Sequence, residues 1–497
     1  MSKKNTGRML LLLLLAVLIS SSVFILDAFR DDDFCRYDAP FYSTISQNIV
    51  RTGDWINLRH SFDTPFEGDH PPLVFWATAL SFKFFGESVF TAALFGLLCA
   101  TGACIAVFFI GTLLRNDITG FFSAMGLLLT RYVVRVSRYN TIEIPLMFFV
   151  ALAILFLVLA LNRNRFFYVL FGFSVALAIL AKGVVGFFPF GICLLAMIIQ
   201  RRALDVFHPF FLLGALIAFG IPGAWLFIKG GMSLEGMWTA LKPYMIFVVN
   251  TFEGAGREDP GSRLRFITKL GEGCFIILPG VALGIFFTIR DGIKEKRRDL
   301  YVILIWAVVF IAAYLLSSWR RGFYLLPMYP AMALLFGIGL HDVLRENHRM
   351  NTIYLLTAFF AGNIAAPFLF PHWEYKNVDE ALFGDVYFPE VRKAARVICS
   401  QSPQKVRFVA YQLSFPEEKE FIFFFRSDHD IEFCRSDEEF RELVNSGEPV
   451  LFYITKENFS RMDKELQLKL KIVYVFDDKI LATNNTQIVP VFDAAKR

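Results

Sequence analysis

The sequence predicts a polytopic α-helical membrane protein with about 11 spans and a C-terminal extracytoplasmic α/β domain. Hydrophobic residues make up 56% of the 497 residues and charged residues only 19%, whereas soluble proteins are about 45 to 50% apolar. Many stretches contain about 20 mostly apolar residues, which is the length of a membrane-spanning helix. After Trp373 the composition becomes more charged, and short alternating patterns replace the long apolar ones.

The N-terminal segment has the basic start and apolar core of a signal peptide. Its apolar stretch is long, it lacks a clear small-x-small cleavage site, and further apolar segments follow it. We therefore interpret it as an uncleaved first helix. The predicted spans lie near residues 9–27, 89–114, 118–133, 143–161, 166–181, 184–199, 207–228, 270–289, 300–318, 323–344 and 352–370.

Basic residues cluster in alternate connections between these spans. By the positive-inside rule such connections face the cytoplasm, so the loop after Leu26 and all residues after Trp373 are expected outside. The net charge of +5 therefore reflects topology, and we expect no nucleic-acid partner. The basic connections are Lys3, Lys4 and Arg8; Arg115; residues 162–165; residues 200–202; residues 290–299; and residues 345–349.

The stretch from Pro71 to Glu87 decides whether the number of spans is odd or even, and so which side of the membrane each later connection faces. It is short for a span and carries Lys83, so we predict a helix that lies on or dips into the outer interface. If this stretch crossed the membrane, every later assignment would flip.

Two domains are predicted: a transmembrane domain over residues 1–373, with an outer loop at 28–87, and an extracytoplasmic domain over residues 374–497. In the second domain the patterns predict strands at 405–411, 449–455 and 471–477 and helices at 390–401, 436–447 and 458–470. The seven cysteines show no paired short spacing typical of a metal or redox motif. Cys399 and Cys434 either form a disulfide outside the cytoplasm or are two unrelated buried thiols.

The outer loop contains the stretch DAPFYSTISQNIVRTGDWI, residues 38–56. In it Tyr42 follows Asp38 by four residues, a Gly-Asp-Trp comes later, and Pro-Pro-Leu ends the loop at residues 71–73. This pattern resembles the first outer loop of the polyprenyl-phosphate-dependent glycosyltransferases with the GT-C fold, of the aminoarabinose (lipid A) transferase and protein mannosyltransferase type.

Three further motifs follow in that family's order, up to about residue 345. RYNTIEIPLMFF resembles its second outer loop, with Glu143 at a carboxylate position; LAKGVVGFFP resembles its Lys-Gly turn, with Lys182; and RRGFYLLPMYPAMALL resembles its Tyr-x-x-Pro-x-x-Pro signature, with Tyr324. Ala39 stands where the family commonly has Glu, and His70 stands where many members have Lys.

Sugar transfer from a lipid phosphate with inversion requires a base for the acceptor's proton and cations for the departing phosphate. Asp38 is the predicted base, because a carboxylate near an apolar interface loses some of the solvation that favours its charged form. The alternative is a solvated loop acid beside Asp31, Asp32 and Asp33.

Side chains expected on the outer face are predicted to contact the donor phosphate. Arg binds phosphate bidentately, whereas Lys acts as a point charge. The competing interpretation is ordinary snorkelling or anchoring at the interface. The predicted phosphate-binding residues are Lys182, Arg138, Arg320, Arg321, His70 and Tyr324.

Glu143 opens a predicted span, which suggests a functional role. It could pair with Arg138, orient the acceptor or help to hold a divalent cation. No companion ligand accompanies it, so the ion pair is favoured and no metal site or cofactor is predicted. Tyr42 is assigned an acceptor-binding or structural role. The Gly-containing loop from Lys229 to Lys269 resembles the region that closes over the lipid donor in the family.

We therefore expect a multi-pass transferase of the bacterial inner membrane that moves a monosaccharide from an undecaprenyl-phosphate donor to lipid A, a glycan or a protein on the periplasmic face. The alternative is a transporter or flippase of lipid-linked sugars. It predicts ionisable residues deep within spans, and paired, interrupted helices in matching halves of the chain. No internal repeat is found in the sequence, and the conspicuous charges are expected in outer loops. A third possibility is a membrane-anchored binding protein that acts through its outer domain.

Overall fold

The computed structural model describes residues 3–29, 39–59, 70–253, 273–317, 322–346, 407–412, 431–434, 436–475 and 479–484. Contacts divide the chain into two compact units: Met1–Asp32 with Ile45–Gly384, and Asp33–Thr44 with Asp385–Arg497. Within the described residues, eight helical segments are long and apolar enough to cross a membrane. The chain is thus a polytopic helical membrane protein, and the sequence prediction of its fold class is confirmed.

The helices that precede the C-terminal sheet are mostly long and apolar. Their bounds are α1 (Lys3–Phe29), α2 (Ala39–Thr52), α3 (Leu73–Phe85), α4 (Val89–Leu114), α5 (Asp117–Leu128), α6 (Arg131–Ser137), α7 (Glu143–Asn162), α8 (Phe167–Lys182), α9 (Phe188–Ile199), α10 (Pro209–Lys229), α11 (Leu234–Glu253), α12 (Leu278–Lys294), α13 (Tyr301–Leu316) and α14 (Tyr329–Glu346).

The chain reverses its direction between α8 and α9, although their sequence reads as one apolar run. Gly183 has φ +58°, a left-handed conformation that glycine adopts at little cost, and a 3₁₀ turn at Gly183–Phe187 separates the two helices. The ring centroids of Phe171 and Phe190 lie 5.3 Å apart, whereas a continuous helix would separate these residues by roughly 28 Å. The break predicted between 166–181 and 184–199 thus falls at the observed turn, and the crossing of the membrane by each of these two segments stays a prediction.

The single span predicted at 118–133 is wrong in its bounds. The structure has the short helix α5, which ends at Leu128, and then α6. Thr130 leaves the helical conformation with ψ 107°, and its hydroxyl donates to the Leu127 carbonyl, which separates the two helices. The predicted span at 352–370 lies outside the described residues. The interfacial prediction at 71–87 falls on α3, whose 13 residues extend about 20 Å, less than the apolar thickness of a bilayer.

Basic residues of the connections form ion pairs at helix ends of the first unit, in two groups. Arg8 donates two hydrogen bonds to Asp117, at 2.6 and 2.8 Å. Arg115, at the end of α4, contacts Asp291 and Asp342 at the ends of α12 and α14. The connections that flank α7, α8 and α9 are joined through Arg165, Arg202 and Asp205. Each group therefore joins connections that are far apart in the sequence.

Helices α8 and α10 cross where Gly172 meets Gly214. A Cβ atom on Gly172 would lie 1.9 Å from the Gly214 carbonyl oxygen, so only glycine allows this approach. A Gly172→Ala variant is expected to lose about 1 to 3 kcal/mol of stability through overpacking, and a thermal unfolding scan in detergent measures this loss. Gly220→Ala, on α10 with nothing within 4 Å of its added Cβ, is the matched control and should not lower Tm. Equal Tm values for the two variants would contradict the close crossing.

In the described part of the second unit, the strands form a five-stranded mixed sheet in the order β2-β1-β3-β5-β4. Strands β1, β2 and β3 are parallel, and β5 pairs antiparallel with β3 and β4. The strands are β1 (Arg407–Tyr411), β2 (Ile431–Cys434), β3 (Val450–Thr455), β4 (Lys471–Val475) and β5 (Lys479–Thr483), and the helices are α15 (Asp437–Asn445), α16 (Lys456–Arg461) and α17 (Lys464–Lys469).

The predicted elements of this unit agree with the sheet in part. The three predicted strands correspond to β1, β3 and β4, and the helix predicted at 436–447 corresponds to α15. The sequence prediction missed the short strands β2 and β5. The helix predicted at 458–470 is two helices, because Met462 and Asp463 adopt extended backbone conformations. The helix predicted at 390–401 lies outside the described residues.

Cys434 is a free, buried thiol at the end of β2. Its Sγ donates to the Ser436 carbonyl oxygen at 3.3 Å, and burial raises the pKa of the thiol to about 12. Of the two alternatives for this residue, the structure shows the unbridged thiol. Cys399 falls in a part of the chain that the structure does not describe.

Candidate active site

A buried ion pair joins the C-terminal end of α8 to the N-terminal end of α7. Lys182 Nζ lies 2.8 Å from Glu143 Oε1, and the two side chains are only 8% and 9% exposed. Glu143 therefore pairs with Lys182 and not with Arg138, which corrects the ion pair favoured from sequence. Because the two charges compensate each other, Lys182 is not an isolated cation.

Tyr324 covers the other side of the Lys182 ammonium. Nζ lies 4.2 Å from the centre of the Tyr324 ring, a cation–π geometry, and the Tyr314 ring stacks on Tyr324 at a centroid distance of 5.8 Å. Tyr324 belongs to a 3₁₀ segment, Gly322–Met328, which Trp306 fixes by donating from Nε1 to the Pro327 carbonyl at 2.9 Å. The Lys-Gly turn and the Tyr-x-x-Pro signature thus meet at one place.

The segment that links α6 to α7 is buried and polar. Arg138 is 5% exposed, and its Nη2 donates to the Tyr139 hydroxyl at 2.7 Å. Asn140 Oδ1 accepts from the Thr78 hydroxyl on α3 at 3.2 Å. Arg135, one turn before Arg138, is 4% exposed. Arg135 was not among the predicted site residues, although an arginine inside the apolar YVVRVS stretch is a signal of a buried functional charge.

The end of the outer loop lies beside the Lys182 turn. A Cβ atom on Gly183 would lie 3.9 Å from Pro71 Cγ, and the carbonyl oxygen of His70 accepts from the Tyr244 hydroxyl at 3.4 Å. The structure therefore brings Lys182, Glu143 and Tyr324 into direct contact and places the His70–Pro71 segment next to them.

Tyr42 is buried on α2, with 4% of its surface exposed. Asp38, Arg320 and Arg321 lie outside the described residues, so their assigned roles stay predictions.

The Gly-Asp-Trp of the outer loop forms a turn. Gly53 ends α2 with φ +71°, and Asp54 Oδ1 accepts from the backbone N–H of Asn57 at 2.9 Å. Burial raises the pKa of Asp54, but hydrogen bonds from Asn57 and its neighbour outweigh that effect, so the pKa lies below its ordinary value. The carbonyl of Trp55 accepts from Trp76 Nε1 at 2.6 Å. This motif therefore attaches the loop to α3.

An aromatic cluster with a second lysine packs on α8 close to the Lys-Gly turn. Its residues were not among the predicted site residues. Trp225 on α10 and Tyr244 on α11 pack on Leu180. Lys229 Nζ lies 5.4 Å from the Trp225 ring centre and 5.7 Å from that of Tyr244. Trp225 and Lys229 are four residues apart on one helix, which is the signal that a cation–π pair offers in sequence.

The described residues include no group of three or more His, Cys, Asp and Glu side chains that could hold a metal ion. The carboxylate of Glu143 is engaged by Lys182 at 2.8 Å. What the arrangement provides is an ammonium held in place from two sides, at a helix end where polar segments converge.

Sequence comparison gives three similarities. The family model described as dolichyl-phosphate-mannose-protein mannosyltransferase matches residues 69–225, which contain Glu143 and Lys182. A protein of Aquifex aeolicus is 24% identical over 340 residues, which cover 66% of this chain and 64% of the relative. The undecaprenyl phosphate-alpha-4-amino-4-deoxy-L-arabinose arabinosyl transferase of Aeromonas hydrophila is 24% identical over 323 residues, which cover 61% of this chain and 56% of that relative.

Structural comparison covers nearly the whole chain. The crystal structure of ArnT from Cupriavidus metallidurans bound to undecaprenyl phosphate superposes with a TM-score of 0.72 at 17% identity, over 95% of this chain and 98% of that one. At this identity the similarity shows that the two chains share a fold.

Proposed function

We propose that the chain is a GT-C glycosyltransferase of the aminoarabinose transferase and protein mannosyltransferase type, to which the sequence and structural similarities point. In this proposal it transfers a monosaccharide from an undecaprenyl-phosphate-linked donor to an acceptor on the periplasmic face of the inner membrane. The observation that supports this most is the buried Glu143–Lys182 pair under Tyr324, inside the segment that the family model matches. The acceptor is lipid A, a glycan or a protein.

In the proposed reaction Asp38 is the general base. It takes the proton of an acceptor hydroxyl, whose oxygen attacks the anomeric carbon as the bond to the phosphate oxygen breaks. The configuration at that carbon is inverted, and the electron pair of the broken bond leaves with undecaprenyl phosphate. A carboxylate suits this step because it is unprotonated before transfer and accepts the proton during it.

Lys182 is the proposed central phosphate contact. An ammonium has three N–H donors; Glu143 accepts one of them and the Tyr324 ring covers another side, so a third can reach a phosphate oxygen. Because Glu143 cancels the Lys182 charge, the phosphate needs further positive partners. We assign this role to Arg138, Arg320, Arg321 and His70, with the Tyr324 hydroxyl as a neutral donor.

The test is a transfer assay on the purified protein in proteoliposomes. A set of radiolabelled undecaprenyl-phosphate sugars is offered together with lipid A, and the products are separated into free undecaprenyl phosphate and glycosylated acceptor. Transfer predicts equal amounts of both products. Intact donor that has only changed leaflet would contradict the proposal and indicate a flippase. Arg163→Ala, in the basic connection that follows α7, is the control and should keep wild-type turnover.

A further inference from the structure

The second unit contains a cavity of about 200 Å³ at the carboxyl ends of its parallel strands. Strand β1 lies between β2 and β3. The strand that follows β1 in sequence is therefore its neighbour on one edge, and the next strand, β3, is its neighbour on the opposite edge. Ligands of α/β proteins bind in the crevice that such a reversal of strand order opens. The residues that line it follow or end these strands: Tyr411 at the end of β1 and Gln412 after it, Asp437 and Phe440 after β2, and Asn458 and Arg461 after β3.

The floor of the cavity is apolar and its wall is a fixed polar cluster. The ring centroids of Tyr411 and Phe440 lie 4.2 Å apart, and Leu466 also lines the cavity. Asp437 Oδ1 accepts from the Tyr411 hydroxyl at 2.6 Å and from Gln412 Nε2 at 2.9 Å. Burial, and then the hydrogen bond to Asp437, raise the pKa of Tyr411, so its hydroxyl stays a donor.

Gln412, whose side chain is part of this wall, has an unusual backbone conformation. Its φ is +47°, a left-handed value that is uncommon for residues other than glycine. Such conformations are found most often at functional sites, where the surrounding structure maintains them.

The charges around the cavity are balanced and do not suit an anion. Arg441 pairs with Asp463, and Arg461 pairs with Glu457 at 2.5 Å. The first turn of α15 is acidic, and the Ser436 hydroxyl already caps it by accepting from Glu439 N–H. No glycine directly follows β1, β2 or β3 in the sequence, so the glycine-rich loop that cradles phosphates is missing from these connections.

We propose that this cavity binds one neutral sugar residue of a glycan. Sugar hydroxyls both donate and accept, which matches a wall that offers carboxylate, carboxamide and guanidinium groups, and the C–H face of the ring can pack on the apolar floor. The volume is below the roughly 300 to 1,000 Å³ of pockets for drug-sized ligands. Among the described residues no group hydrogen-bonds to the Asn458 carboxamide, which leaves it available to a ligand. This site belongs to the second unit and is independent of the transfer reaction proposed above.

The experiment is saturation-transfer difference NMR on the full-length protein in detergent, with the methyl glycosides of glucose, mannose and N-acetylglucosamine as probes. We expect saturation of the ring protons of at least one glycoside. Asn458→Ala and Arg461→Ala should each lower that signal at least fivefold, because both side chains line the cavity and neither is part of the buried core.

Asn445→Ala is the matched control, because Asn445 lies at the exposed end of α15 outside the cavity and should leave the signal unchanged. The proposal is overturned if none of the glycosides is saturated, if inorganic phosphate displaces the bound glycoside, or if the signal persists in both cavity variants. The last result would place the bound sugar elsewhere in the chain. This readout is binding alone, so it is separate from the transfer assay that tests the proposed function.

Discussion

Asp38→Asn is expected to reduce sugar transfer by about 10²- to 10⁴-fold, the usual contribution of a positioned general base. Asparagine has nearly the same shape, but it cannot accept a proton from the acceptor hydroxyl. Donor binding should therefore persist while turnover falls. The measurement is single-turnover release of undecaprenyl phosphate, together with a separate binding titration of the donor.

Asp33→Asn is the control for this variant, because Asp33 lies in the same acidic stretch, DDDFCRYD, and has no assigned role. It should retain turnover within about twofold, since a solvated carboxylate contributes little beyond screened electrostatics. Equal losses in the two variants, or normal turnover in Asp38→Asn, would show that Asp38 is one solvated acid among several and not the base.

Glu143→Gln is expected to lose about 3 to 5 kcal/mol of stability, because it leaves the Lys182 ammonium buried without its counter-charge. Both side chains of the pair are more than nine-tenths buried, so water cannot replace the carboxylate in stabilising the Lys182 charge. The thermal midpoint in detergent should fall clearly below that of the wild type. Glu465→Gln, which removes an exposed pair with Lys469, is the control and should leave the midpoint unchanged.

The double variant Glu143→Gln with Lys182→Met separates structural from catalytic roles. It removes both charges, so much of the lost stability should return. Transfer should nevertheless stay about 10²- to 10³-fold below wild type, because the phosphate loses a placed donor. A double variant with normal turnover would show that the Lys182 ammonium is not needed for transfer and would contradict its role as a phosphate contact.

Several properties of this protein could be read from local sequence. Length and apolar composition predict helices such as α4 and α7 because lipid leaves the backbone no other way to satisfy its hydrogen bonds. The order of the motifs around Glu143, Lys182 and Tyr324 gives the resemblance to a family, because each motif is a short, contiguous stretch.

Tertiary structure decided which side chains meet. Glu143 pairs with Lys182, 39 residues away, and not with Arg138, five residues away, because the end of α8 packs against the start of α7. The acid of Gly-Asp-Trp forms a turn, since Trp76 on α3 anchors the next residue. The break at Thr130 and the cavity beside Gln412 likewise depend on packing and strand order. Hydropathy and spacing are properties of the chain itself, whereas these contacts depend on which distant elements pack together.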